Sequence, residues 1–461
     1  MNKLDVFFNN ELIAHVAYSA YEDKYEFLYK DSWKESGFEL SPHLSFDKTA
    51  SSKTVKNFIE NLLPEGRALD DIVRFNNLSK NNHFAILGAI GSETAGAITF
   101  ISEQSKTEDV FREVSLDELG ERIKQREFQS IAVWDGKVRV SIAGVQDKLP
   151  LVIIDGKIGF GEGKYASTHI LKFGNKKDEN IVLNEYISLK LLESAGFKVA
   201  NSSLWNLAGE SVLVVERFDR AIEDGSIKRT HIIDACQMLD MPASYKYEQN
   251  FGNGRDVKNI REGVSFKKLF SLADRCRVPV VAKKELIAWV CGNLILGNSD
   301  AHGKNISFLV NRDGIEIAPV YDVTNISLLR ERYDSSIAMS INEEHNIEAL
   351  TNYDFEEFCS ENDINMDFFA ATFEKISKNI IKGFDSKALI LEVKKFGGTN
   401  FLVQYKEDVL RRSDKLLSVL KLFDCDKGEL PDRDDIKAMS KTEREDAVRA
   451  LADGDSGLKL G

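Results

Sequence analysis

Apolar and polar residues alternate from residue 3 to residue 18, and the alternation breaks at Asn9-Asn10. A period of two predicts a pair of strands joined by a tight turn. Phe27-Leu28-Tyr29 predicts a third strand. The period then lengthens: apolar positions recur at three- and four-residue spacing over 53–63 and 67–76, which predicts two helices. Leu63-Pro64-Glu65-Gly66 reads as the stop between them, and Asn61-Leu-Leu-Pro-Glu-Gly66 as a whole is assigned no catalytic role. An apolar stretch over 84–90 meets Gly88, Gly91 and Gly96, and Ala97-Ile98-Thr99-Phe100 predicts another strand. The first hundred residues thus read as a small α+β unit. The polar segment 102–124, with a helix expected at 116–125, reads as its boundary.

Strand patterns dominate the next hundred residues. They fall at 137–142, at 149–154 before the hairpin signal Asp155-Gly156, and at 168–173. A helix is expected over 183–195, closed by Gly196, and two strands follow at 202–207 and 211–218 around Gly209. Beyond residue 220 the chain turns helical, with helices expected near 231–239, 264–275, 281–297, 354–362, 366–383, 386–397 and 401–423. A polar loop containing Gly and Asn lies at 246–262, and a strand with a turn at 306–314. From residue 427 onward the chain is strongly charged, either a helix near 441–452 or a mobile tail. The fold class expected is α+β, with an N-terminal subdomain at 1–105, a β-rich small lobe at 106–220, a helical lobe at 221–426 and a charged tail at 427–461.

Composition narrows the function classes. The chain has 461 residues, 43% hydrophobic and 29% charged, which is ordinary for a globular protein with a large core. Its net charge of −13 argues against coating nucleic acid, which requires a basic face. The first residues lack the apolar core of a signal peptide, and the most apolar later stretch, 286–296, is too short to span a bilayer. A cytoplasmic protein without membrane contact is expected. Cys236, Cys276, Cys291, Cys359 and Cys425 are widely spaced and read as reduced thiols, and neither they nor the seven histidines show zinc spacing, so no structural metal is expected.

Two segments near residue 300 hold the strongest chemistry: Asn298-Ser-Asp-Ala-His-Gly-Lys-Asn305 and Pro319-Val-Tyr-Asp322. Asp300 and Asn305 stand four residues apart, the spacing of a kinase catalytic loop in which an Asp receives a hydroxyl proton and an Asn holds Mg²⁺. Asp322, one hairpin downstream, is expected to supply the carboxylate that holds the metal with Asn305. His302 and Lys304 lie in the same loop and are grouped with the catalytic set. Taken alone, D-x-x-x-x-N is common and loops collect polar residues for ordinary reasons. Upstream, 140–148 places Ala143 and Gly144 in a turn before Lys148; this is either a phosphate cradle or a plain hairpin. Lys172 alternates with Leu171 and Phe173, so it faces away from them. It is either a solvated edge lysine or the partner of Glu185 in the next helix, the pair that orients phosphates in kinases. Val215-Glu-Arg-Phe-Asp-Arg220 joins the two halves; it is a charged strand end or an adenine hinge, with Glu216 and Phe218 beside the ring.

As an ordered set these motifs resemble the HipA family of serine/threonine kinase toxins, over about residues 1–425. The matching segments are 141–148, 168–172, 184–186, 215–220, 298–305 and 319–322, joined by Leu-Leu-Pro-Glu-Gly and Gly-Ala-Ile-Gly in the N-terminal unit. The resemblance implies a two-lobed kinase-like fold whose helical lobe is similar to that of lipid kinases, and it implies ATP and Mg²⁺. It implies Asp300 as base, Asn305 and Asp322 as metal ligands, Lys148 and Lys172 on the phosphates, and Glu216 and Phe218 at the adenine. It further implies autophosphorylation of Ser141 as self-inactivation, an aminoacyl-tRNA synthetase such as the glutamyl enzyme as substrate, and a HipB-type helix-turn-helix antitoxin through which DNA is reached. Val145 and Asp147 depart from the family's usual Ala and Glu. Two other readings stand beside it: a kinase-like scaffold that works with an antitoxin in operon repression, and, ranked last, a small-molecule or lipid phosphotransferase.

Overall fold

The computed structural model describes residues 2–102, 109–126, 128–131, 133–138, 147–174, 178, 180–329 and 336–421. Ser141, Ala143, Gly144, Cys425 and the charged stretch from 427 lie outside them. The alternation at the start of the chain forms the strands Asn2–Phe8 and Glu11–Ser19, with Asn9 at φ 52° in the turn. Lys24–Tyr29 and Ile98–Ile101 complete a four-stranded antiparallel sheet in the order Lys24–Tyr29, Glu11–Ser19, Asn2–Phe8, Ile98–Ile101. Helices Ser52–Glu60 and His83–Ile90 pack with this sheet, and their N-termini are capped by Ser51 and Asn82, whose side chains accept from Thr54 and Ala85 N–H groups.

The second sheet has six strands, in the order Ser202–Leu207, Glu210–Glu216, His169–Phe173, Lys148–Ile154, Lys157–Glu162, Val110–Glu113. Its two faces bury different cores because side chains alternate along each strand. Leu149, Leu151, Leu171, Phe173, Val212 and Val214 pack under helix Leu116–Lys124 through Leu119 and Ile123. Leu213 and Val215 face the other way, toward helix Ile181–Ser194, and join the large core shared by the N-terminal unit and the helical half. Lys172 falls on this second face. A core continuous from Val6 through Ile187 and Leu213 to Phe369 seats the N-terminal unit against both other parts.

Two expectations are corrected here. The segment near 231–239 is not one helix. Ile232–Asp234 is a strand that pairs with Ser307–Asn311, and a four-residue helix, Ala235–Met238, follows it. Thr230, Ile232 and Ile233 are β-branched and the edge of Ser307–Asn311 is available, so pairing outweighs the apolar spacing. The charged stretch at 220–229 forms a hairpin, Arg220–Glu223 with Ser226–Arg229, about Asp224-Gly225. The later helices follow the spacing closely: Pro279–Leu296, Asn352–Glu361, Met366–Gly383, Lys387–Lys395 and Thr399–Lys421. No helix among the described residues is long and apolar enough to cross a membrane. The four described cysteines are buried and free.

Candidate active site

Helix Pro279–Leu296 delivers the Asp300 loop. It ends at Gly297, whose φ of 70° is left-handed. A Cβ there would lie 2.6 Å from the guanidinium carbon of Arg412, so only glycine lets the buried arginine close beneath the turn. Arg412 donates to the Ile295 carbonyl at 3.0 Å and to Ser327 and Asp408. The loop then folds on itself. His302 N–H and the Asn305 amide both donate to the Asp300 carbonyl at 2.8 Å, and Asn305 N–H donates to His302 O at 2.9 Å. Asn305 is thereby fixed relative to Asp300 by the spacing noted in the sequence.

Asp322 arrives from the other side. Its φ of 56° is left-handed, which a short polar side chain tolerates better than most. Asn184 clasps the segment that follows it: its amide donates to Asn325 O at 3.0 Å and its oxygen accepts from Asn325 N–H at 2.7 Å. Next to Asn184, Glu185 accepts from Lys172 Nζ at 2.6 Å, and the same ammonium donates to Asp322 at 2.7 Å. Lys172 and Glu185 are both buried. Burial works against the Lys172 charge; the two carboxylates outweigh it and hold its pKa above that of free lysine. Burial alone would also raise Asp322, but Lys172 and Lys148 hold its carboxyl well below the usual carboxylate range. Glu185 is raised, because it is buried and shares Lys172 with Asp322.

Asp300 is the opposite case. Burial pushes its carboxyl up to about 6, with a hydrogen bond from Tyr247 opposing and Asp322 adding to the rise. Burial lowers Lys148 to about 8, against the pull of Asp322. All these groups line one cavity of about 840 Å³, together with Asn305, Glu216 and Phe218. Phe218 lies 5.8 Å from Tyr321, centroid to centroid. The Glu216 carboxylate accepts from Asn201 at 2.9 Å, and the Glu216 and Arg217 N–H groups already donate to Asn201 O and Thr168 O.

The two other residues grouped with the catalytic set, Lys304 and His302, line the same cavity. The buried ammonium of Lys304 is held by Asp234 at 2.7 Å and by the carbonyl and side chain of Asn61. An ammonium paired in this way anchors the loop. His302 is buried and lowered to about 3 by that burial, so it stays neutral and exchanges no proton near neutrality. Sequence reasoning missed Asn61, Glu65, Asp234, Lys246 and Tyr247. Glu65 accepts from Lys246 at 2.6 Å, and the Tyr247 hydroxyl donates to Asp300 Oδ1 at 2.6 Å. Pro64 and Gly66 marked only a helix stop, and Tyr247 sits in a polar loop with no period to read.

Comparison with known proteins gives the arrangement a family. Residues 4–101 match the model of the HipA N-terminal domain and residues 140–387 that of the HipA-like C-terminal domain. The chain belongs to the HipA family. The serine/threonine-protein kinase toxin HipA of Shewanella oneidensis is 37% identical over 417 residues, covering 90% of this chain and 96% of that protein. The structure of Shewanella oneidensis HipA with HipB and operator DNA matches with a TM-score of 0.83 at 35% identity, covering 93% of this chain and 100% of that one. The two-lobed α+β fold and the enzyme class, a serine/threonine protein kinase, follow from membership.

A kinase of the HipA family uses ATP, generally with a divalent metal, and the cavity residues fit such a ligand. Two buried ammonium groups, Lys148 and Lys172, stand on its wall, and Asp322 is held ionised among them. Glu65 Oε1 and Asn298 Oδ1 are buried there with no hydrogen-bond partner among the described residues. Among the described residues no group of three or more His, Cys, Asp or Glu is placed to hold a metal. A cation held by Asn305 and Asp322 would draw further ligands from phosphate and water, as Mg²⁺ does.

Proposed function

We propose that this chain is the kinase toxin of a toxin–antitoxin pair, transferring the γ-phosphoryl group of ATP to a serine or threonine hydroxyl of a protein of the translation machinery. One observation supports this above the others: Asp300, Asn305, Asp322 and the Lys172–Glu185 pair converge on one cavity from four separate segments. In this reading Asp300 receives the hydroxyl proton, and a carboxyl raised to about 6 is ionised yet basic enough for the task near neutrality. Asn305 and Asp322 are the Mg²⁺ ligands. Lys148 and Lys172 attract the phosphates, with Glu185 aiming Lys172. Glu216 and Phe218 wall the adenine end. Lys304 and His302 act by holding the loop. When bound, Mg·ATP supplies the phosphoryl group and the cation that offsets its charge.

The Gly-containing turn, with Ala143 and Gly144, is the phosphate cradle in this scheme, and Ser141 its autophosphorylation site. A phosphate there adds about −2 charge where nucleotide phosphates belong, which expels the loop and stops the enzyme. The resemblance favours an aminoacyl-tRNA synthetase, the glutamyl enzyme first, as acceptor. The partner proposed is a HipB-type antitoxin, supported by the Shewanella complex with HipB and operator DNA. Reaching DNA through that partner accords with a net charge of −13. The division proposed is an N-terminal subdomain at 1–105, a small lobe at 106–220, a helical lobe at 221–426 and a tail at 427–461.

Intact-mass analysis after incubation with Mg·ATP, beside Asp300→Asn, tests the proposal. One phosphate gained at Ser141 by the wild type alone is the expected result. No gain in a verified unphosphorylated sample, with nucleotide still bound, would favour the scaffold reading.

A further inference from the structure

We propose that Tyr247 is a positioning residue for the catalytic base: its hydroxyl holds one oxygen of Asp300 so that the other meets the acceptor hydroxyl. The inference rests on the reading of Asp300 as that base. A carboxylate turns about a broad terminal torsion, and a base works only when its free oxygen lies within hydrogen-bond reach of the proton it receives. Tyr247 Oη donates to Asp300 Oδ1 at 2.6 Å, and both residues line the cavity. With Oδ1 engaged, Oδ2 is the oxygen left for the acceptor.

Tyr247 is itself held. Its ring meets the imidazole of His302 edge-on, at 4.9 Å and 90°. The preceding Lys246 places its ammonium 5.4 Å from the ring centroid and bonds Glu65 of the N-terminal unit at 2.6 Å. The Lys246 carbonyl accepts from Gly303 N–H at 2.9 Å, so the loop that carries Asp300 also grips the segment that carries Tyr247. This gives the neutral His302 a use as the wall against which the tyrosine stands. It also gives the N-terminal unit a line of contact, Glu65 to Lys246 to Tyr247, that ends on the base.

The opposite arrangement would be a plug, with Tyr247 occupying the acceptor's own place on Asp300, and the two differ in sign. The test compares wild type, Tyr247→Phe and Asp300→Asn in ATP turnover and in phosphate transfer to casein, with urea midpoints for all three. Phenylalanine keeps the ring against His302 and removes only the donor. Expected for Tyr247→Phe is a kcat lower by about 10–100-fold, the usual scale for a misaimed catalytic group, with an unchanged KM for ATP; the urea midpoint falls slightly with the lost hydrogen bond, and the chain stays folded under assay conditions. A raised kcat, or a lower KM for casein at unchanged kcat, would identify a plug and overturn the proposal. So would a raised KM for ATP, or unfolding of the variant under assay conditions that accounts for the lost kcat, either of which would mark a merely structural tyrosine. Wild-type kcat in Tyr247→Phe with Asp300→Asn inactive would also overturn it while leaving Asp300 as the base. Activity retained in Asp300→Asn would remove the base assignment itself.

Discussion

Asp300→Asn should stabilise this protein while disabling it. In the native chain burial raises the Asp300 carboxyl from 3.8 to about 6. The folded state therefore binds this proton more tightly than the unfolded state does. Stability from that difference is complete below pH 3.8 and is lost as pH rises toward 6, so above pH 6 the ionised carboxylate is a net cost. A shift of about 2 units at 1.36 kcal/mol per unit is about 3 kcal/mol at pH 8, and about half of that at pH 5. Asparagine keeps an oxygen for the Tyr247 hydroxyl and carries no charge to desolvate. Urea denaturation of wild type and variant at pH 5 and pH 8, without nucleotide or divalent cation, reads the difference directly. The variant should be the more stable at both, by a margin that grows with pH, and phosphate transfer should fall by about 10²–10⁴-fold, the contribution of a positioned base. A variant destabilised equally at both pH values would refute the reasoning, because the carboxylate would then be a stabilising member of the site.

Other outcomes follow from the same geometry. Asp322→Asn should abolish Mg²⁺-dependent phosphate transfer yet fold normally, since Lys172 keeps Glu185; circular dichroism beside a transfer assay checks both. ATP binding should weaken as pH rises through about 8, where Lys148 loses its proton, and calorimetry on Lys148→Met should give a flat profile there. Arg217→Met should cost about 3–5 kcal/mol in urea unfolding, the scale for breaking a buried ion pair, because Asp219 and Glu93 lose a shared partner.

The parts of the fold that were legible in the sequence are those whose reason is local. The alternation at 3–18 and the three-to-four spacing of helix Met366–Gly383 state their own burial. The Lys172–Glu185 pair was legible because alternation places Lys172 opposite Leu171 and Phe173, where only a charge satisfies a charge. What escaped depends on residues that meet only after folding. Lys304 finds Asn61 across 243 positions and Asp234 across 70, and Lys246 finds Glu65 across 181. No period marks such partners. Ile232–Asp234 was missed because three residues make a strand only when Ser307–Asn311 is beside them. The segment 215–220 read as a charged strand end or an adenine hinge, and the buried partners of Arg217 and Asp219 escaped for the same reason.

Those last two belong to a buried knot. Glu93 accepts from Arg217 at 3.0 Å and from Ser167 at 2.8 Å. Asp219 accepts from Arg217, from Arg220 at 2.6 Å and from Gly96 N–H at 2.9 Å, and Arg229 donates to Ser92 O at 2.9 Å. The knot sits behind Glu216 and Phe218 and ties them to the N-terminal unit. Its consequence is one of timing. The contacts that close it run from residues 92–96 to residues 217–229, across 123 to 137 positions, and burying any of its charges before its partner arrives costs several kcal/mol. We expect these side chains to stay hydrated up to the folding barrier and the knot to close beyond it, so that Arg217→Met speeds unfolding and leaves the folding rate unchanged in stopped-flow measurements. An interaction formed after the barrier leaves the rate of folding alone and slows the reverse step. On that expectation the knot governs how long a folded molecule lasts once made, and not the speed of its making.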